Sequence, residues 1–230
     1  MARDRSSIVK MSRREGYALH PKAHKALVKR TSKPGQGPMS RGPRGGKASQ
    51  YNLQLREKQK VKRLYGLLEK QFSNLMKEAS RRQGQSGQVL LQFLEQRADN
   101  AIYRAGFATS RRAARQLVTH GHFLLNDTRV DIPSIRLKPG DSLVVRPHSL
   151  KTEYFKKLDE VSPAPADTPG WLKVDRKKVS LSITGLPSRD DAEPEVDLIT
   201  GQAGLGHRRH VGRRFQPRGA GDRQQLGLAR

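Results

Sequence analysis

Between Ser110 and His120 the chain places Arg111, Arg112, Arg115, Gln116 and Thr119 at helical spacing. Positions three and four apart share a helix face, so Ala114, Leu117 and Val118 turn inward while Arg111, Arg112, Arg115 and Thr119 turn outward together. A guanidinium is a planar fork that bonds two phosphate oxygens at once, which an ammonium cannot do. Ser110 has the side chain to cap this helix, and the capped N-terminus adds oriented N–H groups at the same place. Gln116, Thr119 and His120 can reach sugar hydroxyls or base edges beside it. Arg104, on the preceding helix, widens the patch, whereas Arg97 has Asp99 and Glu95 near it in sequence as partners. Three arginines so closely spaced exceed what a solvated face requires, and the chemistry they suit is gripping a phosphate backbone.

Bond-making chemistry has no counterpart in the sequence. It contains no nucleophile arrangement, no phosphate-cradling glycine loop followed by Lys and Ser or Thr, and no carboxylate pair in an expected core. The reading is therefore a non-enzyme without catalytic residues, cofactor or small-molecule substrate. The histidine pairs His20 with His24, His120 with His122 and His207 with His210 lack a thiolate or a third nearby ligand, so no metal site is expected. At 5% aromatic content the chain is poorly supplied for stacking on single strands, and Tyr103 and Trp171 read as core residues.

The positive charge extends from this patch to the whole chain. Among 230 residues, 46 Lys and Arg face 21 Asp and Glu, for a formal net charge of +25. Such an excess repels itself in a compact state unless a polyanion neutralises it. It is concentrated in residues 1–84, which hold 22 basic and 5 acidic side chains. The chain has no cysteine, no apolar run long enough to span a membrane, and no hydrophobic core of a secretory signal in residues 1–10, so it reads as cytosolic. The Arg- and Ser-rich, acid-poor start also fits an organelle transit peptide, but it does not single one out, because RNA-binding arms share that composition.

Several elements must position the arginines. Residues 1–50 mix Pro21, Pro34, Pro38 and Pro43 with glycines and basic residues, which predicts an irregular arm that either orders on a partner or stays a flexible tail. From Asn52 the recurrence of Val61, Leu64, Tyr65, Leu68, Phe72, Leu75, Met76 and Ala79 predicts one long helix ending before Gly84. Its charged face carries Arg56, Lys58, Lys60, Lys62 and Arg63. These five, with Arg13 and Arg14 in the arm, extend the set of residues assigned to RNA. A second helix from near Val89 runs through Ala98 and Ile102 to a stop at Gly106, and the helix of the arginine row ends at Gly121. Then come short strands over 122–126 and 128–131 joined through Asn126-Asp127, a turn over 138–141, and a strand over 142–146. Residues 163–170 read as a Pro/Ala linker, 171–184 as short strands, and the Gly- and Arg-rich residues 200–230 as a disordered tail.

Tyr51 to Phe72 resembles, almost residue for residue, the helical signature of the small-subunit ribosomal protein four family of bacterial type. Arg97 to Val145 resembles the RNA-binding module named after that family, through Ser110 to Asn126, Val130-Asp-Ile-Pro133 and Lys138-Pro-Gly-Asp141. The module alone also occurs in pseudouridine synthases, some tRNA synthetases and a small heat-shock RNA binder, but the resemblance here covers roughly residues 12–198. It implies an α+β chain in which a helical body, residues 51–88, is interrupted by the module, residues 89–162, and completed by about 171–199. It further implies direct binding to small-subunit ribosomal RNA near a multi-helix junction, a role in assembly and decoding accuracy, and contact with ribosomal protein five and other small-subunit proteins. Residues 11–46 lack the zinc-binding cysteines of some members, so this is a zinc-free version, and the tail replaces the family's usual apolar ending. The rivals are a pseudouridine synthase built on the same module and an RNA-binding factor outside the ribosome.

Overall fold

Short amphipathic runs organise the N-terminal segment more than its Pro and Gly content suggests. A computed structural model describes residues 4, 6–30, 32–35, 49–165, 167–189 and 191–192. In it, α1 spans Ile8–Glu15 and α2 spans Pro21–Lys29, where the sequence predicts an irregular arm. Pro21 is the reason α2 starts cleanly, since a proline at the first helical position gives up an N–H that has no partner there anyway. Met11 and Ala23 are buried, and Tyr17 and Leu19 pack on the core formed by the next helices, so tertiary contact supplies what eight or nine residues cannot supply alone.

The expected long helix is two helices. Helix α3, Gln50–Leu64, and α4, Glu69–Ser80, are separated by a turn in which Gly66 adopts a φ of 64°. The apolar period runs straight through this turn because Leu64, Tyr65, Leu67 and Phe72 all remain buried, in one cluster with Val61, Ala79, Leu90, Phe93 and Leu94. Helix α5, Ser86–Glu95, contributes the last three of these and starts ahead of the expected position, with Gly87 buried inside it. The second expected helix also breaks, at Gln96 and Arg97, where Arg97 forms an isolated antiparallel bridge to Arg136 before α6, Ala98–Arg104, begins.

A second core begins at that break. Helix α6 packs on α7, Arg111–Thr119, and both cover a five-stranded antiparallel sheet ordered β2-β1-β3-β5-β4. The strands are β1 Phe123–Leu125, β2 Thr128–Val130, β3 Ser142–Val145, β4 Leu172–Asp175 and β5 Ser180–Ile183. Asn126 and Asp127, with φ of 46° and 65°, make the tight turn between β1 and β2 that their side chains suit. Three one-turn helices, α8 Pro147–Leu150, α9 Glu153–Lys156 and α10 Leu158–Val161, lead back under the sheet, where Phe155 packs edge-on against Phe123 at 6.3 Å between centroids. The hairpin β4–β5 falls where the sequence predicts short strands and pairs through β5 with β3, so residues 172–183 extend the module's sheet, whereas the resemblance implies that they complete the helical body. The end of that body and the tail, residues 193–230, lie outside the described residues, as do Pro38, Pro43, His207 and His210.

Candidate nucleic-acid interface

Helix α7 begins as its sequence requires. Ser110, with extended backbone, accepts the amide of Ala113 on Oγ at 3.3 Å, and Ala114 and Val118 are buried against α6 and the sheet. The opposite face opens on a cleft of about 790 Å³ between α7 and the N-terminal helices. Arg111, Arg112, Arg115, Gln116, Thr119 and His120 all line it. The residues assigned from the sequence on this helix are thereby brought together.

The arginines are held to different degrees. Arg111 lies over the rings of Tyr65 and Tyr103, at 4.9 and 4.6 Å from their centroids, and its Nε donates to Asn100 Oδ1 at 2.8 Å. Stacking of this kind fixes the plane of the fork and ties α7 to the turn after α3. Arg115 donates from Nη1 to Asp99 Oδ2 at 3.0 Å, and the same buried carboxylate accepts Nε and Nη2 of Arg97 at 3.0 and 2.8 Å. Arg112 is exposed and reaches the carbonyl of Asp4 at 3.4 Å. Thr119 spends its hydroxyl on the Arg115 carbonyl at 2.8 Å, while Gln116 and His120 are exposed.

Arg104 stands elsewhere. Its guanidinium donates to the fully buried carboxylate of Glu95, from Nη2 at 2.9 Å and Nε at 3.2 Å, and to the carbonyl of Asp191 at 3.2 Å. Glu95 also accepts the Tyr65 hydroxyl and Asn100 Nδ2 at 2.6 Å, so one carboxylate joins α3, α5 and α6. Burial, with the charge of Glu95 beside it, pushes the Tyr65 phenol well above its usual range and keeps it a donor. Arg97 pairs with Asp99 as its sequence neighbourhood suggests, but Arg104 is held just as firmly.

The basic face of α3 is likewise threaded with carboxylates. Arg56 and Arg63 both reach the buried Glu15 of α1, and Lys58 and Lys62 both reach Glu69 at the start of α4. Lys60 sits over the Tyr17 ring at 4.8 Å and within 3.8 Å of Glu57. Burial works against the Glu69 charge, but the two lysine hydrogen bonds outweigh it and hold the carboxyl at about 2. Of these five, Arg63 alone lines the cleft. Arg13 donates to the carbonyl of Ser32 at 2.8 Å, and Arg14 is exposed on α1. Sequence reasoning missed the other wall of the cleft, made by Asp4, Ile8, Met11 and His20. The apolar spacing of Ile8, Met11 and Leu19 is the signal that was there to find it. Among the described residues no three metal-ligating side chains come together, and no helix is long and apolar enough to cross a membrane.

Comparison with known proteins divides the chain where its two cores divide. The family described as ribosomal protein S4/S9 N-terminal domain matches residues 3–95, and the S4 domain matches residues 96–143. A small ribosomal subunit protein uS4 from Chlorobium limicola is 46% identical over 194 residues, covering 84% of this chain and 93% of the relative. The chain belongs to the uS4 family of ribosomal proteins. Its namesake from Clostridioides difficile is 45% identical over 202 residues, or 85% of this chain and 95% of the relative, and that from Chlorobaculum tepidum is 47% identical over 191 residues, or 83% and 92%. Membership across both parts of the chain sets aside the modifying-enzyme reading, because uS4 is a family of ribosomal constituents and not of enzymes. It also agrees with the resemblance read from residues 51–72 and 97–145.

Proposed function

We propose that this chain is a structural constituent of the small ribosomal subunit that binds small-subunit ribosomal RNA directly through the cleft between α7 and the N-terminal helices. The observation that carries the reading is the arginine row at a capped helix N-terminus, lining an open cleft, in a chain whose relatives are named for that subunit. Asp99 behind Arg115, and Asn100 with the Tyr65 and Tyr103 rings under Arg111, fix these two side chains before RNA arrives, so little of their rotamer entropy is lost on binding. Each phosphate contact releases condensed counterions, which supplies much of the binding free energy.

An RNA junction brings phosphates of several helices together, and the arginine-lined wall of the cleft offsets their repulsion. On this reading the chain nucleates assembly by holding such a junction, contributes to translational accuracy through the rigidity it imposes, and meets ribosomal protein five and other small-subunit proteins in the cytoplasmic ribosome. Sedimentation of an extract in high salt tests the assignment: the chain is expected to stay with the small-subunit peak. Release into the soluble fraction at moderate salt would support the rival factor outside the ribosome instead.

A further inference from the structure

His20 stands on the wall of the cleft that the arginine row does not supply. It is the N-cap of α2, with extended backbone, and its Nδ1 accepts the amide of Lys22 at 3.1 Å. An accepting Nδ1 puts the proton of the neutral ring on Nε2, and the cap fixes the direction in which that N–H points. Among the described residues Nε2 has no hydrogen-bond partner. Capping alone does not explain a histidine, because Ser, Asn or Asp caps better and none of them carries a second donor nitrogen of this reach. The neighbours are cationic and acidic in turn: Arg112 from α7, Arg63 from the end of α3, Lys22 from its own helix and Asp4 from the segment ahead of α1. Burial first, then Arg112 and Lys22, lower the imidazole's affinity for a second proton, so the ring is a neutral donor near pH 7.

We infer that His20 is a further RNA-contacting residue, whose Nε2–H donates to a backbone oxygen of the ribonucleotide chain that α7 grips across the cleft. This rests on the cleft being the RNA site. The contact adds direction without adding charge, so it orients the strand that the arginines attract. It also makes α2 part of the interface, where the sequence shows only a basic arm.

The test uses the full chain and a transcript of small-subunit ribosomal RNA. His20→Ser keeps a capping oxygen but removes the ring. It is expected to weaken binding about three- to tenfold, the worth of one hydrogen bond, while the dependence of affinity on salt keeps its slope, because a neutral donor releases no counterion. Arg112→Ala, measured beside it, is expected to weaken binding and lower that slope. If Arg112→Ala weakens binding and folded His20→Ser does not, the role of His20 is overturned and the cleft stands. If neither weakens binding, the cleft itself is not the site. Should the serine variant misfold, the imidazole nitrogen signals of His20 in the unsubstituted chain decide: they must move when the transcript is added, and unmoved signals overturn the inference.

Discussion

Glu95 is a carboxylate with no solvent exposure and three donors around it, from Tyr65, Asn100 and Arg104. Removing it takes the charged acceptor away from the Tyr65 hydroxyl, the Asn100 amide and the mostly buried Arg104 guanidinium, so Glu95→Ala is expected to lower the unfolding free energy by about 3 kcal/mol, measured by urea denaturation. Tyr65→Phe loses one hydrogen bond but keeps the ring under Arg111, and a loss of about 1 kcal/mol is expected. Such pairings explain what was legible at this scale. The identities of Arg111, Arg112 and Arg115 and their common face follow from spacing alone, as does the pairing of Arg97 with Asp99 two positions away. The partners of Arg104 and Arg63 do not, because Glu95 is nine positions away on another helix and Glu15 is 48 away. A run of basic residues shows charge, and only the fold shows which charges are already answered.

Two glycines with positive φ test why the helices break where they do. Gly66, at 64°, has no atom within 4 Å of where a side chain would begin, so Gly66→Ala is expected to cost only the left-handed penalty of about 1–2 kcal/mol. Gly106, at 73°, would put that carbon 2.4 Å from Pro165 Cδ, and Gly106→Ala is expected to cost clearly more. Thermal unfolding of the pair checks the order, and equal losses would contradict it. Ser110→Ala removes the cap of α7 and is expected to cost about 1 kcal/mol. At this scale α7, its cap and the β1–β2 hairpin were readable, because each is decided by residues within one turn of chain. The break at Gly66 was hidden by an apolar period that continues through it, and α1 and α2 were hidden by their brevity. The pairing of β5 with β3 joins residues some 40 positions apart, a distance over which periodicity carries no information.

The chain as a whole carries +25, and carboxylates such as Glu69 and Glu78 are paired with its Lys and Arg side chains, which couples its stability to acid. Glu69 titrates at about 2 in the folded chain against an ordinary 4.5, so its stabilising effect is complete above the ordinary value and is lost as the pH falls towards 2. Its side chain is 53% exposed, and the screened contribution is under about 1 kcal/mol. Urea denaturation at pH 6 and pH 2.5 (about the two ends of that window) is expected to show a smaller loss in Glu69→Gln than in the unsubstituted chain, and equal losses would contradict the pairing. A scaffold of this kind, two small cores joined through Glu95 and Tyr65, exists on this account to hold a guanidinium row in place for RNA. The most direct measurement is a cryo-EM map of the native small subunit containing this chain. RNA phosphates are expected within hydrogen-bonding distance of Arg112 and the N-terminus of α7, with RNA filling the cleft towards α2; a map in which that face of α7 meets solvent or protein would overturn the RNA assignment.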